Sequence, residues 1–540
     1  MAGQKGDMLW AWKFCGTYRS ELLGFFLLEI VSLALGLVFV WVSRDAVDMA
    51  VRSGSQELLP SIAVLSGSLL LAFWCNLEAG KLNERTRARM FMDLQSRITR
   101  AQLHSRIDSV VEMDSGDLLV RAGSNAQETV QLLGNSWISA LLTAIRIAAA
   151  LALLGNLDPQ LSLIILFLLP LGLLSRAYFR KLRRLNSSLK ESEGRLGNLM
   201  QENFRSRLFI RQLNRQTERW EMLQQENGAI FGQRMALLNF STRSRGILGT
   251  FLQIGYLLTF TWGLFKLQQG AISFGTMTAF LQLVGRIQGP FVSLLALIPL
   301  MVRSRTAMER VTQALSVPQE VPAIGSQTGA EVKGMEISRV EYGYGEKSVL
   351  SGRSYIFSKG VPTSILGPSG KGKSTLLRIL MGLHRPISGQ VLLLTDAGPI
   401  DMSPDYREKI AFVPQGDKLL SGTVLYNLIG MGRELTEERL DEALRTACAE
   451  FVHELPQGLL TPVGEGGYAL SEGQAQRVGI ARALLQDSSV WLFDEVTSSL
   501  DRRTAKVVMS NLLKAGSDKV VIFVTHDQSL AELCAQKIYI

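Results

Sequence analysis

Nine consecutive residues, Gly367, Pro368, Ser369, Gly370, Lys371, Gly372, Lys373, Ser374 and Thr375, follow the apolar run 361–366 and open a helix-forming stretch. Glycines let the backbone curl until several N–H groups converge on phosphate oxygens, and a helix starting at Lys373 adds its positive end. Strand, glycine loop and helix in that order give the match its weight. Lys373 is then expected at the β- and γ-phosphates of ATP and Ser374 on Mg2+. A second stretch, 488–495, is an apolar strand closing on two carboxylates. There Asp494 suits magnesium through water, and Glu495 suits the attacking water, because a base must lie close to its nucleophile. A third, 520–527, ends an apolar strand on His526, where charge on the leaving phosphate needs compensation. His104, His384 and His453 have no such setting and receive no ligand role.

The elements that must position these groups differ sharply between the two parts of the chain. Of 540 residues, 47 % are hydrophobic, mean hydropathy is +0.17 and the formal charge is +9. That composition allows a membrane part together with a water-facing domain. The basic residues flank apolar segments, which favours anionic lipid over nucleic acid as the partner. Cys15, Cys75, Cys448 and Cys534 are too widely spaced for a disulfide framework or a metal site and are read as free thiols. The first residues lack the pattern of a secretory signal.

A span needs roughly 20 mostly apolar residues. Six windows meet or approach this, at about 20–43, 58–77, 131–154, 160–176, 246–265 and 273–301. The connection from the second to the third carries eight basic residues, and 176–245 carries fifteen. Basic connections mark the cytoplasmic side, so the N-terminus and everything beyond residue 303 are placed in the cytoplasm. Apolar Leu182, Leu185, Leu189, Leu196 and Leu199 recur at helical steps, which implies helices continuing beyond the bilayer. Glu29, Arg146 and Arg286 fall inside the windows. Such charges face a bundle interior or a wet cavity. Either the two arginines line a cavity for an anionic or zwitterionic substrate, or they pair with Glu29 and polar neighbours to settle the helices. Pro290 and Pro299, with Gly285 and Gly289, are expected to kink or soften the last span.

A proline- and glycine-rich stretch at 314–330 divides a transmembrane domain, 1–313, from a nucleotide-binding ATPase domain, 331–540. Leu470–Gln474, LSEGQ, precedes the carboxylate strand, and with it the chain resembles the ATP-binding cassette transporter superfamily, in its exporter type with fused membrane and nucleotide-binding halves. Glu472 stands where the family usually has glycine, while Ser471 and Gly473 are unchanged. The resemblance implies a fold of six transmembrane helices with long cytoplasmic extensions, followed by an α/β phosphate-loop domain with antiparallel β and helical subdomains. It assigns Ser471, Gly473 and Gln474 to the γ-phosphate of ATP held by another subunit. Tyr344 matches the aromatic stacked on adenine, with Tyr342 as a substitute. Gln415 matches the residue linking magnesium and water to the membrane half, and Asp501 the loop between the two ATP sites. The stretch 461–467, with Glu465, looks like an exporter-specific segment. Coupling helices are expected near 108–115 and 209–218. Family members continue some tens of residues past the histidine, whereas this sequence ends at Ile540, so a short edge is expected.

The same resemblance implies a dimer, either of two identical copies or with a related half-transporter, in a bacterial plasma membrane among lipids. Each of two ATP sites would use Lys373, Ser374, Gln415, Asp494, Glu495 and His526 from one copy and Ser471 and Gly473 from the other. The expected activity is ATP-driven export or flipping of an amphiphilic drug, lipid or peptide. An ATP-gated channel or regulator, a fused importer and a soluble ATPase of chromosome or repair type remain as other classes. Six spans argue against the last of these, and 461–467 against the importer.

Overall fold

The computed structural model describes residues 10–52, 58–107, 115–168, 175–320, 330–344, 347–368, 370–416, 419–430, 435–464 and 467–540. The chain forms two compact units, Met1–Gln102 with Asp114–Ser316, and Leu103–Met113 with Val317–Ile540.

The first unit is helical: α1 Arg19–Arg52, α2 Leu58–Leu103, α3 Gly116–Leu157, α4 Pro159–Leu168, α5 Ser175–Arg205, α6 Arg207–Gln212, α7 Gln216–Gln268 and α8 Phe274–Leu315. Hydrocarbon leaves no water for backbone polar groups, so apolar windows of this length must satisfy them inside a helix. Among the described residues four helices, α1, α2, α3 and α7, are long and apolar enough to cross a membrane. The window 160–176 runs over residues outside the description, and α8, capped by Ser273, covers the rest of the window 273–301. With 46 and 53 residues, α2 and α7 are roughly 70 and 80 Å long at about 1.5 Å per residue, far beyond ~30 Å of hydrocarbon. The expected extensions beyond the bilayer are therefore present. Arg219–Glu202 at 2.7 Å, Arg234–Glu193 at 2.8 Å and the Tyr178–Phe240 ring stack zip α5 to α7. The short α6 turns the chain between them and partly overlaps 209–218, where the second coupling helix is expected; the first, 108–115, lies almost wholly outside the described residues. α8 is one continuous helix from Phe274 to Leu315, with Pro290 and Pro299 inside it. In α3 the hydrogen-bond pattern changes to π-helical turns at Arg121–Asn125 and Leu132–Ser136.

The second unit holds three sheets among the described residues, the smallest an antiparallel pairing of β7 Gly422–Thr423 with β8 Pro462–Val463. An antiparallel sheet has the order β2-β1-β4-β5, from β1 Val332–Tyr344, β2 Lys347–Ser358, β4 Ser388–Thr395 and β5 Gly398–Asp401. A parallel sheet has the order β11-β3-β10-β9-β6, from β3 Thr363–Leu366, β6 Ile410–Val413, β9 Val490–Asp494, β10 Val520–Val524 and β11 Gln536–Tyr539. Its inner strands β9 and β10, with β6, read as apolar runs because both faces are covered, whereas the edge strand β11, QKIY, is partly exposed. Val490, Leu492, Val520, Ile522 and Val524 enter one core, and Trp491, Phe493, Val521 and Phe523 the other. Helices α9 Lys373–Leu380, α10 Val424–Ile429, α11 Glu437–Thr446, α12 Glu472–Leu484, α13 Arg502–Ala515 and α14 Gln528–Ala531 complete this unit.

Two short segments join it by backbone pairing rather than by hydrophobicity. Arg106 N–H donates to the Pro318 carbonyl at 2.9 Å, and Glu320 N–H to the His104 carbonyl at 2.9 Å. Arg407 then holds Glu320 through both carboxylate oxygens, at 2.6 and 2.7 Å, and donates to the carbonyls of Met381 and Gly382 just beyond α9. The unit boundary thus falls at Ser316–Val317, inside the proline-rich stretch.

Phe493 and Phe523 stack at 5.0 Å in the core that faces α12 and α13. Phe523→Ala is expected to cost about 3–5 kcal/mol. The check is the thermal midpoint of the full-length protein in detergent, which should fall by several degrees; an unchanged midpoint contradicts the two-core description.

Candidate functional site: the carboxyl ends of the parallel sheet

The glycine loop leaves β3 and enters α9. Gly370 and Gly372 have φ of +80° and +98°, in the left-handed region where a side chain is strained. At Gly372 a Cβ would also stand 2.7 Å from Val349 Cγ1. The Lys373 ammonium bridges the carbonyls of Gly367 and Pro368 at 2.8 and 3.0 Å, folded over its own loop. Ser369 lies outside the described residues, and Thr375 is buried in the first turn of α9.

The carboxylates arrive from the sheet. β9 ends on Asp494, which is buried, and the chain turns at once, with Glu495 at φ +50°. Glu495 N–H donates to the Val524 carbonyl at 2.9 Å, tying this turn to the end of neighbouring β10. The Glu495 carboxylate accepts from Gln415 Nε2 at 2.9 Å and stands 3.5 Å from His526 Nδ1. Gln415 follows β6 and His526 follows β10, the two strands flanking β9. Three residues far apart in sequence thus meet on one carboxylate. A cavity of about 840 Å³ adjoins Glu495 and His526, with Arg502, Arg503 and Lys506 on its wall. The wall is of mixed charge, since the Glu495 and Asp527 carboxylates also line it, and none of the described glycine-loop residues within 367–375 reaches it.

Burial pushes the Asp494 carboxyl above its ordinary range, with the Ser374 hydroxyl, which hydrogen-bonds it, pulling the other way. The Ser374 hydroxyl and the Asp494 carboxylate it bonds are oxygen donors of the kind a hard dication takes, while Gln415, expected beside them, is seen bonded to Glu495. Among the described residues no cluster of three or more His, Cys, Asp or Glu offers a rival metal site.

Ser471 caps α12: its hydroxyl accepts from Gln474 N–H at 3.2 Å, and the Gln474 side chain accepts from Ser471 N–H at 2.9 Å. Gly473 packs where a Cβ would lie 2.7 Å from the Ser499 carbonyl, so LSEGQ sits on the loop that leads to Asp501. Asp501 caps α13, accepting from Arg503 and Thr504 N–H at 3.0 Å each, and its bonds to Thr504 hold its carboxyl below the usual range. Tyr344 ends β1, and its side chain is outside the description, as is Glu465. Tyr342 is buried and stacked on His384 at 5.0 Å, which removes it as a substitute for Tyr344.

Gln476 escaped the sequence reading. It is buried in α12, and its Nε2 donates to the Glu495 carbonyl at 3.0 Å, bracing the left-handed residue from behind. The signal available was its position two residues after Gln474, a polar side chain on an otherwise apolar helix face.

The chain is similar to known proteins over both of its parts. The ABC transporter family profile matches residues 350–498 and the ABC transporter transmembrane region profile matches 22–291. A probable ABC transporter ATP-binding/permease protein of Haemophilus influenzae is 33 % identical over 252 residues, covering 46 % of this chain and 46 % of that protein. The mycobactin import ATP-binding/permease protein IrtB of Mycolicibacterium smegmatis is 28 % identical over 88 % of this chain and 85 % of its own length. A solved bacterial Atm1-family ABC exporter with ATP bound shares the fold at TM-score 0.78 and 20 % identity, over 95 % of this chain and 91 % of that one.

Two outcomes test the site's construction. Gln476→Leu keeps the volume but removes one buried hydrogen bond worth about 1–2 kcal/mol, so the ATP hydrolysis rate should fall roughly 5- to 30-fold while ATP affinity holds; equal loss in both contradicts a bracing role. Asp494 has a raised folded-state pKa, so its ionisation opposes folding: the penalty is absent below the unfolded value of about 3.9 and complete above the folded one. Asp494→Asn should therefore raise the thermal midpoint of the nucleotide-free protein at neutral pH, with the gain shrinking toward about pH 4.

Proposed function

The chain belongs to the ABC transporter family, an integral multi-pass membrane protein that binds and hydrolyses ATP, and from that premise we propose that two copies together export an amphiphilic substrate. The observation that carries the reading is the single Glu495 carboxylate contacted by Gln415 and His526 at the ends of adjacent strands. It favours a positioned water over a merely bound nucleotide.

In this reading the glycine loop and Lys373 cradle the phosphates, and Ser374 with Asp494 and Gln415 would hold a magnesium ion, which neutralises phosphate charge when bound. Glu495 takes a proton from water as the water oxygen bonds to the γ-phosphorus and the bond to the leaving ADP oxygen breaks. Gln415 and His526 fix the carboxylate while this happens, and His526, 65 % exposed at its side chain, is free to face the departing phosphate. Ser471 and Gly473 of the second copy close the site from the other side, with Asp501 in the loop between the two sites and Tyr344 against adenine. A twofold pair would bring together twelve spans. Differential ATP affinity for closed and open arrangements then drives alternating access. The mycobactin relatives are named for import, so the direction of transport rests on the exporter-type fold and the family resemblance of 461–467.

Glu495→Gln should retain ATP binding and nearly abolish turnover; multiple turnover near the native rate removes Glu495 from the role of base. Lys373→Ala should weaken the ATP titration itself. In vesicles with the ATPase outward, ATP should load a fluorescent amphiphile into the lumen, whereas ATP-driven emptying of preloaded vesicles reverses the assigned direction.

A further inference from the structure

Inside the six apolar windows the carboxylates are Glu21, one residue from an edge, and Glu29, while Arg146 and Arg286 are both interior. The structure pairs Arg146 on α3 with Glu29 on α1 through a hydrogen-bonded ion pair. Nearby polar groups on α1 are also occupied: Ser32 donates to Asn76 Oδ1 at 3.0 Å, and Ser43 is bonded to Gln282. Arg286 is left over. Among the described residues no hydrogen bond or ion pair reaches it, and Arg146 is close enough for its like charge to act on it.

A guanidinium cannot shed its proton, so it stays charged wherever it is placed. Surplus charge in the interior of a membrane protein is costly and marks a ligand path or a counter-ion that arrives from outside. The chain also makes room for this side chain. A Cβ on Gly36 of α1 would lie 2.5 Å from Arg286 Nη1 and 3.3 Å from its Cζ, so any larger residue there would push the guanidinium aside. Glu29 and Gly36 are two helical turns apart on one face of α1, so that face carries a neutralised cation at one level and an uncompensated one at the next.

We propose that Arg286 anchors the anionic head group, a carboxylate, sulfate or phosphate, of the transported amphiphile, with Gly36 keeping its guanidinium in place and Arg146 already neutralised by Glu29. This rests on the transport reading above and narrows its substrate from amphiphiles in general to anionic ones.

The test uses the full-length protein in nanodiscs of zwitterionic lipid, with 11-(dansylamino)undecanoate, its methyl ester and the chain-free acid dansylglycine as probes. Native protein should bind the long acid at least 10-fold tighter than the ester and than dansylglycine. Arg286→Gln should bring the acid-to-ester ratio close to one, and Arg286→Lys should restore part of it. Gly36→Ala, which keeps every charge, should lower the ratio, and it serves as the second variant should Arg286→Gln fail to fold. Equal binding of acid and ester by native protein, or a ratio kept in Arg286→Gln, overturns the proposal, as does a ratio that vanishes in Arg146→Gln alone. Tight binding of dansylglycine would assign the site to free anions and likewise overturn it. Failure of the transport reading looks different: neither long probe moves in response to ATP, whatever their binding ratio.

Discussion

A strand buried on both faces can present polar chemistry only where it ends. That constraint organises the ATPase unit. β3, β10, β9 and β6 lie side by side and parallel, so their carboxyl ends form one edge, and there the chain delivers the glycine loop, His526, Asp494 with Glu495, and Gln415. The two cores that sheathe the strands fix the height of that edge; the hydrogen bond from Glu495 to the end of β10 and the brace from Gln476 fix the turn that aims the carboxylate. Strain at Glu495, with its positive φ, persists because these contacts over-determine it.

Much of this edge was legible because strand ends are written locally. An apolar run followed by glycines, by two acids or by histidine is a short pattern, and each proved to close a strand of one sheet. What was not legible are the long-range contacts to backbone atoms. Gln476 and Arg407 each act on carbonyl groups, and any residue type offers a carbonyl, so no partner can be named from sequence. The joining of residues 104–106 to 318–320 is hidden for the same reason, since ladder hydrogen bonds leave no compositional trace. LSEGQ was recognised by likeness, and the structure adds its local physics: a capping box that spends the Ser471 hydroxyl on its own helix, and a glycine in van der Waals contact with the following loop.

In the membrane unit, apolar length located the helices well, but length does not report how they continue. The π-helical turns at Arg121–Asn125 and Leu132–Ser136 each hold one glycine, Gly123 and Gly134, and α8 stays helical across two prolines, so glycine and proline alone do not locate a change of helical pattern. The sequence left open whether Glu29, Arg146 and Arg286 settle helices or meet substrate. The structure divides the three: Arg146 and Glu29 satisfy each other, and Arg286 is unpaired among the described residues.

The central claim is that each ATP is held by Lys373 of one copy and Ser471 of another. Mixed dimers carrying Lys373→Ala and Ser471→Arg decide it by arithmetic of sites. With the two changes in different copies, one shared site keeps both native residues, and the pair should still occlude labelled ATP at about half the native amount. With both changes in the same copy, both shared sites are damaged and occlusion should be lost. The reverse pattern, occlusion surviving only when both changes sit in one copy, would mean that each chain closes its own site and would contradict the account.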